Sequence, residues 1–185
     1  DLMRQRTEKR AAQLSGTGNT LTLAVSQGSR EGTQEATICD VRFYDKREQV
    51  TDCVQSGDSL TIDLEYRLEK PMADLALNLG ITNETYVNCF EVAVLSARAT
   101  FGPLIGAGVL RCHFPELPLI PGCYYFNVGL YPTDWGYKYD HHLQMHPLKV
   151  EQKPGESSHV TGVVSLSPHW SASAPRKNAV AGRQD

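Results

Sequence analysis

The chain has 185 residues, of which 41% are hydrophobic and 21% are charged, and its formal net charge at pH 7 is −3. This composition is typical of a globular domain rather than of a disordered chain, and the acidic balance argues against a nucleic-acid partner bound by bulk positive charge. The longest apolar run, residues 104–110 with their glycines, is too short to span a membrane.

The N-terminal part of the chain carries no strong secondary-structure pattern. Residues 1–14 are rich in charge and in helix formers but have only a thin apolar stripe. Residues 15–34 are mostly small and polar, apart from one apolar patch at 21–25. We therefore predict that residues 1–34 are a linker with one candidate peripheral strand.

From residue 35 the pattern changes to the alternation that is typical of β-strands. Leu60, Ile62 and Leu64 alternate strictly with polar residues. Comparable signals occur at 38–43, 75–81, 104–114, 123–131, 143–150 and 160–166, and residues 87–95 fit either a strand or a short helix. About eight strands with turns between them predict an all-β fold, an immunoglobulin-like or jelly-roll antiparallel β-sandwich. The predicted domain covers residues 35–170, and 171–185 form a flexible tail.

The cysteine content favours free thiols over a disulfide framework or a zinc site. There are five cysteines, an odd number, and no pair has CxxC spacing. Four of them, Cys39, Cys89, Cys112 and Cys123, fall inside predicted strands. We expect small buried thiols in a reducing compartment.

Motifs that carry catalysis are weak or missing in this sequence. Residues 15–20 faintly resemble a phosphate loop but lack the lysine that a P-loop needs, and no GxSxG occurs. The densest group of metal-ligand side chains is Asp140, His141, His142 and His146, which leaves a metal-dependent jelly-roll enzyme as an alternative. In a strand, however, His142 and His146 would share one face while His141 points the other way. We expect no enzyme activity, no cofactor and no metal in this chain.

Aromatic residues concentrate in the later part of the chain and suggest a binding surface. One face of strand 123–131 is apolar, whereas the other carries Tyr125, Asn127 and Tyr131. Tyrosine rings stack on the C–H faces of sugars, and an amide can read sugar hydroxyls. Trp135 and Tyr137 follow in the next loop, where they would extend such a surface.

The order of these segments resembles the C-terminal carbohydrate-binding domain of Wzt-type ATPase subunits, which belong to ABC exporters of bacterial O-antigen polysaccharide. Four stretches carry the resemblance, which covers about residues 35–170. They are Ser56-Gly57-Asp58-Ser59-Leu60 with the strand to Tyr66, Leu79-Gly80-Ile81, Leu119-Ile120-Pro121-Gly122-Cys123-Tyr124 with Val128-Gly129-Leu130, and Gly162-Val163-Val164-Ser165-Leu166 up to Trp170.

The resemblance implies a specific biological setting. Such domains are jelly-roll sandwiches that form homodimers, in some cases by exchanging an edge strand. They follow an upstream nucleotide-binding domain, act with a transmembrane permease, and recognise the O-antigen polysaccharide, often at its modified non-reducing end. The expected location is cytoplasmic, at the inner face of the inner membrane. Residues 1–34 would then link this domain to an ATPase domain that the chain does not contain.

We place the binding site by physical argument, because the resemblance does not transfer contact positions. The polar face of a sheet that holds strands 60–67, 75–81 and 123–131 is expected to form a shallow groove. Its predicted glycan-binding residues are Tyr125, Asn127, Tyr131, Asn78 and Arg67, with Trp135, Tyr137 and His141 at the rim. The alternative is a structural dimerisation or docking sandwich whose aromatic cluster lies buried in a protein interface.

Overall fold

Nine β-strands form the regular structure in the part of the chain that this computed structural model describes, namely residues 28–72, 75–96, 104–155 and 161–166. In chain order they are β1 (Ser29–Glu31), β2 (Ala36–Tyr44), β3 (Cys53–Gln55), β4 (Leu60–Leu68), β5 (Ala76–Asn83), β6 (Asn88–Leu95), β7 (Ala107–Phe114), β8 (Gly122–Tyr131) and β9 (Asp140–Glu151). Within these ranges no helix has the length and apolar character needed to cross a bilayer. The predicted all-β class is confirmed.

The strands form two sheets that face each other. The larger sheet has the order β1-β9-β8-β5-β6, with β3 added parallel to β9, and the smaller sheet has the order β2-β4-β7. The other pairs between named strands are antiparallel, so the predicted antiparallel sandwich is confirmed. Because β4 is the central strand of the smaller sheet, the expectation that residues 60–67 share a sheet with 75–81 and 123–131 is wrong.

The core lies between the two sheets and is filled by alternate residues of their strands. The strict alternation of β4 places five residues inside: Leu60, Ile62, Leu64, Tyr66 and Leu68. The facing strand β8 contributes Tyr124, Phe126, Val128 and Leu130. The rings of Phe43 and Phe126 meet across the core with their centroids 4.9 Å apart. Full burial of one such side chain stabilises the fold by about 1.5–3 kcal/mol.

Some elements differ from the sequence pattern. Residues 87–95 resolve to a strand, β6, and β1 adds residues 29–31 to the sheet although they fall in the predicted linker. Residues 161–166, predicted as part of a strand, hold one isolated bridge between Val164 and Leu119. The predicted peripheral strand at 21–25 and the predicted tail at 171–185 lie outside the described residues.

Strand β9 brings polar side chains into the core. A bulge at Gln144 shifts its register against β8, so that His142 lies opposite Val128 and His146 lies opposite Phe126. Both histidines therefore face inward, and His142 Nδ1 lies 3.0 Å from His146 Nε2. His141 faces the other side of the sheet, as the sequence predicted for a strand.

The inward face of β9 also carries an ion pair that links the two sheets. Asp140 is fully buried and accepts hydrogen bonds from Arg30 Nε at 2.9 Å and from Arg30 Nη2 at 2.7 Å. Its Oδ2 also accepts from the backbone N–H of Ile38 in the smaller sheet, at 2.7 Å. The three histidines of the metal-enzyme alternative thus do not converge, and no group of three or more ligand-type side chains is arranged for a metal among the described residues.

Candidate functional site

The candidate site lies on the outward face of the larger sheet, around Gly129 of the central strand β8. Gly129 is paired with Asn78 of β5 on one side and with His141 of β9 on the other. The same row continues to Ala93 of β6 and to Glu31 of β1. Directly opposed residues of antiparallel strands place their side chains on the same face, so these five positions form one row across the sheet, the Gly129 row.

The ring of Tyr131 covers the centre of the Gly129 row. A Cβ atom at Gly129 would lie 2.5 Å from Tyr131 Cε2 and 3.1 Å from His141 Cδ2. The ring centroids of Tyr131 and His141 are 5.9 Å apart. Since residue 129 has no side chain, the phenol can lie over the backbone of β8 beside His141.

Trp135 extends this aromatic surface from the loop that follows β8. Its ring centroid lies 4.8 Å from that of Tyr131, and its side chain is 43% exposed. The loop holds Trp135 in the left-handed region, with φ 57°, while its N–H donates to Pro132 O at 3.0 Å. That conformation costs a bulky L-residue roughly 1–2 kcal/mol. A strained backbone at Trp135 therefore accompanies the exposed indole that lies against Tyr131.

Two asparagines and a carboxylate border the aromatic surface on the side of β6. Asn78 Nδ2 donates to Glu91 Oε1 at 3.1 Å, and Asn88 Nδ2 donates to Glu91 Oε2 at 2.9 Å. Glu91 and Asn88 are exposed, whereas Asn78 is mostly buried. Each oxygen of a carboxylate has a further lone pair, so Glu91 can accept additional hydrogen bonds from hydroxyl groups.

The electrostatics of the site keep its ring side chains neutral. Burial raises the pKa of Tyr131, and the nearby carboxylates Glu31 and Glu91 raise it further, so the phenol is a neutral donor near pH 7. Burial and the Lys138 ammonium lower the pKa of His141, although Glu31 acts in the opposite direction. The Lys138 hydrogen bond in turn holds the pKa of Glu31 below its usual range. Neutral rings therefore stand beside one ion pair and one further carboxylate.

Two of the predicted β8 residues, Asn127 and Tyr125, lie on the same face but are buried rather than presented to solvent. Asn127 is 6% exposed, its Oδ1 accepts the N–H of Gln144 at 2.7 Å, and its Nδ2 donates to Thr82 Oγ1 at 3.2 Å. Tyr125 is 8% exposed and lies further along β8, opposite Thr82 and Pro147. Asn127 thus fixes the β9 bulge, and the expectation that both side chains line an open groove is wrong for this arrangement.

Tyr137 and Arg67 also lie apart from the Gly129 row. Tyr137 packs edge-to-face on Tyr139 at 5.3 Å, and its hydroxyl donates to Glu35 Oε2 at 3.4 Å. Arg67 is an exposed residue of β4, paired with Ala107 in the smaller sheet. Its predicted place on a strand next to β5 and β8 is wrong, because alternation within a strand does not reveal which sheet the strand joins.

Sequence reasoning missed the charged members of the site, Glu91, Glu31 and Lys138. Glu91 had a detectable signal, since it is the only charged residue in β6. Glu31 and Lys138 had none, because the pair joins positions 107 residues apart in the chain. The pairing of β1 with β9, together with the hydrogen bond from the Thr33 N–H to Lys138 O, brings them together.

Two larger clefts lie away from the Gly129 row. One, of about 370 Å³, is lined by Tyr44 and Arg111 on the outward face of the smaller sheet. The other, of about 390 Å³, lies beside Lys46 and Asp58. Arg111 in the first cleft binds both oxygens of Asp63 at 2.6 and 2.7 Å, and Lys46 in the second lies 2.9 Å from Asp58. These clefts therefore present ion pairs rather than an exposed aromatic platform.

Comparison with known protein families gives a match over all of the described residues. The sequence model of the Wzt C-terminal domain family matches residues 27–166, which is more than half of the chain. No curated protein matches the chain. The resemblance drawn from the four sequence stretches is confirmed by this match.

One solved structure supports the same fold. The crystal structure of the C-terminal domain of Wzt is similar with a TM-score of 0.67 and 14% sequence identity, covering 80% of this chain and 89% of that chain. The CARDB domain of the PF1109 protein from Pyrococcus furiosus, solved in complex with di-metal ions, gives a TM-score of 0.38 and 11% identity, covering 72% of this chain and 100% of that chain. The similarity to the Wzt domain, at 14% sequence identity, shows that the two chains share a fold.

Proposed function

The chain belongs to the Wzt C-terminal domain family, and on this basis we propose that it is a non-catalytic glycan-recognition domain of a polysaccharide ABC transporter. In this proposal it binds O-antigen polysaccharide, at a modified non-reducing end, before export. It acts with an upstream nucleotide-binding domain and a transmembrane permease, at the cytoplasmic face of the inner membrane. The glycan is bound and not altered, so the domain needs no cofactor.

The observation that carries this proposal is the exposed indole of Trp135 held against Tyr131 beside Asn78 and Glu91. A sugar ring presents C–H groups that stack on an aromatic face, and each such stack contributes about 1 kcal/mol beyond area burial. Amide and carboxylate groups at the border can hydrogen-bond sugar hydroxyls and so select among sugars. Glycans are well solvated and flexible, so weak binding is expected.

A titration monitored by NMR tests the proposal. The ¹⁵N-labelled chain is titrated with the O-polysaccharide of the strain that encodes it, and we expect the Trp135 indole N–H and the Asn78 amide signals to shift. Trp135→Gly should weaken binding by about fivefold, which corresponds to one lost stack. Unchanged spectra at millimolar glycan would contradict the function.

Tyr86 offers a matched control for Trp135. It is also an exposed aromatic residue in a turn, 59% exposed with φ 62°, but it lies between β5 and β6 rather than on the aromatic surface. Tyr86→Gly removes a ring and relieves a left-handed backbone in the same way. We expect it to leave the glycan affinity within twofold of the wild-type value.

A second function, dimerisation or docking, is favoured by the apolar character of the open edge of the sandwich. Among the described residues, β6 and β7 are the edge strands of the two sheets on this side. Phe90 and Val92 of β6 are 38% and 37% exposed, and Val109 of β7 is 55% exposed. We propose that a second copy covers this edge, with or without strand exchange. Sedimentation velocity of the wild type and of Val92→Glu tests it, and a wild-type monomer at 100 µM would contradict it.

A further inference from the structure

We propose that the candidate site around Gly129 binds glycans whose bound sugar residues carry no negative charge. This inference rests on the proposed function and adds the charge class of the ligand to it. It follows from the charges that surround the aromatic surface rather than from the aromatic surface itself.

The formal charges around Tyr131 leave the site negative. Glu31 and Glu91 contribute two carboxylates, and Lys138 contributes one ammonium that is already paired with Glu31. The lowered pKa of His141 keeps its imidazole neutral near pH 7. The described residues of the site therefore carry one net negative charge, which is the charge of Glu91.

The described residues of this surface include one cation, Lys138, and its charge is already balanced by Glu31. Phosphate and carboxylate groups are usually bound by arginine forks or by lysine ammonium groups. The nearest arginine in the strand order is Arg30, but its side chain points to the opposite face and binds Asp140. An anion that approaches the Lys138 ammonium also approaches the Glu31 carboxylate bound to it, and that carboxylate repels the anion.

The carboxylate of Glu91 is fixed in place and exposed. Its two oxygens accept hydrogen bonds from Asn78 and Asn88, so it cannot easily swing away from an approaching anion. Like charges about 4 Å apart repel each other by enough, even in water, to weaken binding about fivefold. For an uncharged sugar the same carboxylate is an acceptor for hydroxyl groups. Glu91 therefore favours the binding of neutral glycans over acidic ones.

A polysaccharide array tests the inference with the 185-residue chain. Purified bacterial O-polysaccharides that are neutral in both their repeats and their non-reducing ends are printed beside O-polysaccharides whose non-reducing ends carry phosphate or a sugar acid, at 150 mM NaCl. We expect the bound spots to be neutral polysaccharides. Equal or stronger binding to acidic ones would overturn the charge class and leave the glycan-binding function standing. Binding to none of them would count against both.

A pair of variants then tests whether Glu91 is responsible. For a bound neutral polysaccharide, a matched acidic ligand is made by oxidising its primary alcohols to carboxylates. We expect the oxidised form to bind at least fivefold more weakly to the wild type, and Glu91→Gln to reduce that ratio to about twofold. Glu48→Gln changes the net charge equally at an exposed turn of the β2–β3 connection and should leave the ratio unchanged. An unchanged ratio in Glu91→Gln would overturn the assignment.

Discussion

The phenol ring of Tyr131 occupies the space that a side chain at Gly129 would need, since its Cε2 lies 2.5 Å from the position of the missing Cβ. The position of the ring, and with it the contacts to Trp135 and His141, therefore depends on glycine at the centre of β8. Gly80 lies on the same face, opposite Asn127, but a Cβ there would approach no atom closer than 3.7 Å. The two glycines thus separate the effect of a displaced ring from the effect of an added methyl group.

Gly129→Ala should displace the Tyr131 ring and weaken glycan binding. Overpacking of this kind costs typically 1–3 kcal/mol of folding stability. Gly80→Ala should change stability by less than about 1 kcal/mol, because the new methyl group makes ordinary contacts. Urea unfolding measures both changes, and the NMR titration measures binding. If Gly80→Ala proves as damaging as Gly129→Ala, the role assigned to the Tyr131 ring is wrong.

The sequence predicted the sandwich well where one face of a strand meets solvent. In β4 every second residue is polar, and each apolar residue is buried while each polar residue is at least partly exposed. The start of β9 was missed because Asp140 and His142 are polar yet fully buried, which hides the alternation. Burial of the Asp140 carboxylate is compensated by hydrogen bonds from Arg30 and from the backbone N–H of Ile38. These partners are distant in the sequence, so the pattern of residues does not predict them.

The candidate site was predicted in part, for a related reason. Tyr131, Trp135, His141 and Asn78 were recognised by residue type and do lie together. Their grouping depends on the order of strands, in which β8 lies between β5 and β9. A two-residue period assigns faces but not neighbours, so it also placed Arg67 in the wrong sheet. Asn127 has the expected residue type, but the β9 bulge uses its amide.

The titration of His141 should report its burial and its two charged neighbours. An ordinary histidine has a pKa of about 6.5, and that of His141 is lowered by burial and by Lys138. Removing the ammonium in Lys138→Met should raise the pKa, and removing the carboxylate in Glu31→Gln should lower it. The Cε1–H signal, assigned by its loss in His141→Asn, follows the titration. A midpoint above 6.5, or shifts of the opposite sign, would contradict this account.

The same shift has a consequence for stability. Because the folded pKa of His141 is depressed, the unfolded chain takes up the proton first as the pH falls. This residue therefore reduces stability below about pH 6.5 and has no effect above it. Glu31→Gln, which lowers the folded pKa further, should steepen the loss between pH 6.5 and 5. Urea midpoints measured across that range provide the test.

Asn127 and Asn78 should respond differently to substitution, although both were predicted to contact glycan. Asn127→Ala leaves the buried N–H of Gln144 without its acceptor, which costs about 1–3 kcal/mol of stability. Asn78→Ala removes a donor to the exposed carboxylate of Glu91, so its stability cost should be smaller, about 0.5–1.5 kcal/mol. We expect Asn78→Ala to weaken glycan binding and Asn127→Ala, where folded, to leave it within twofold. If Asn127→Ala weakened glycan binding and Asn78→Ala did not, the glycan contact would belong to Asn127 and the assignment to Asn78 would be wrong.

The buried pair of Arg30 and Asp140 should be the most sensitive ion pair among those described. Burial acts to raise the pKa of Asp140, but the His142 ring 3.4 Å away and the hydrogen bonds from Arg30 and the N–H of Ile38 outweigh it and hold the pKa below its usual range. The folded state therefore favours the carboxylate, and this stabilisation is present above about pH 4 and is lost as the pH falls through the folded pKa. Asp140→Asn should cost about 3–5 kcal/mol at pH 7, because it leaves the Arg30 charge without its partner.

The matched control for this pair lies on the outward face of the smaller sheet. Arg111 binds Asp63 through the same two-bond geometry, at 2.6 and 2.7 Å, but its side chain is 62% exposed. Water can replace the lost partner there, so Asp63→Asn should lower the melting temperature far less than Asp140→Asn. Arg30→Lys keeps the buried charge but loses the fork, and its effect should fall between the two. Because hydrogen-bond geometry is shared and burial differs, equal losses in the two Asp→Asn variants would mean that burial does not set the energy of these pairs.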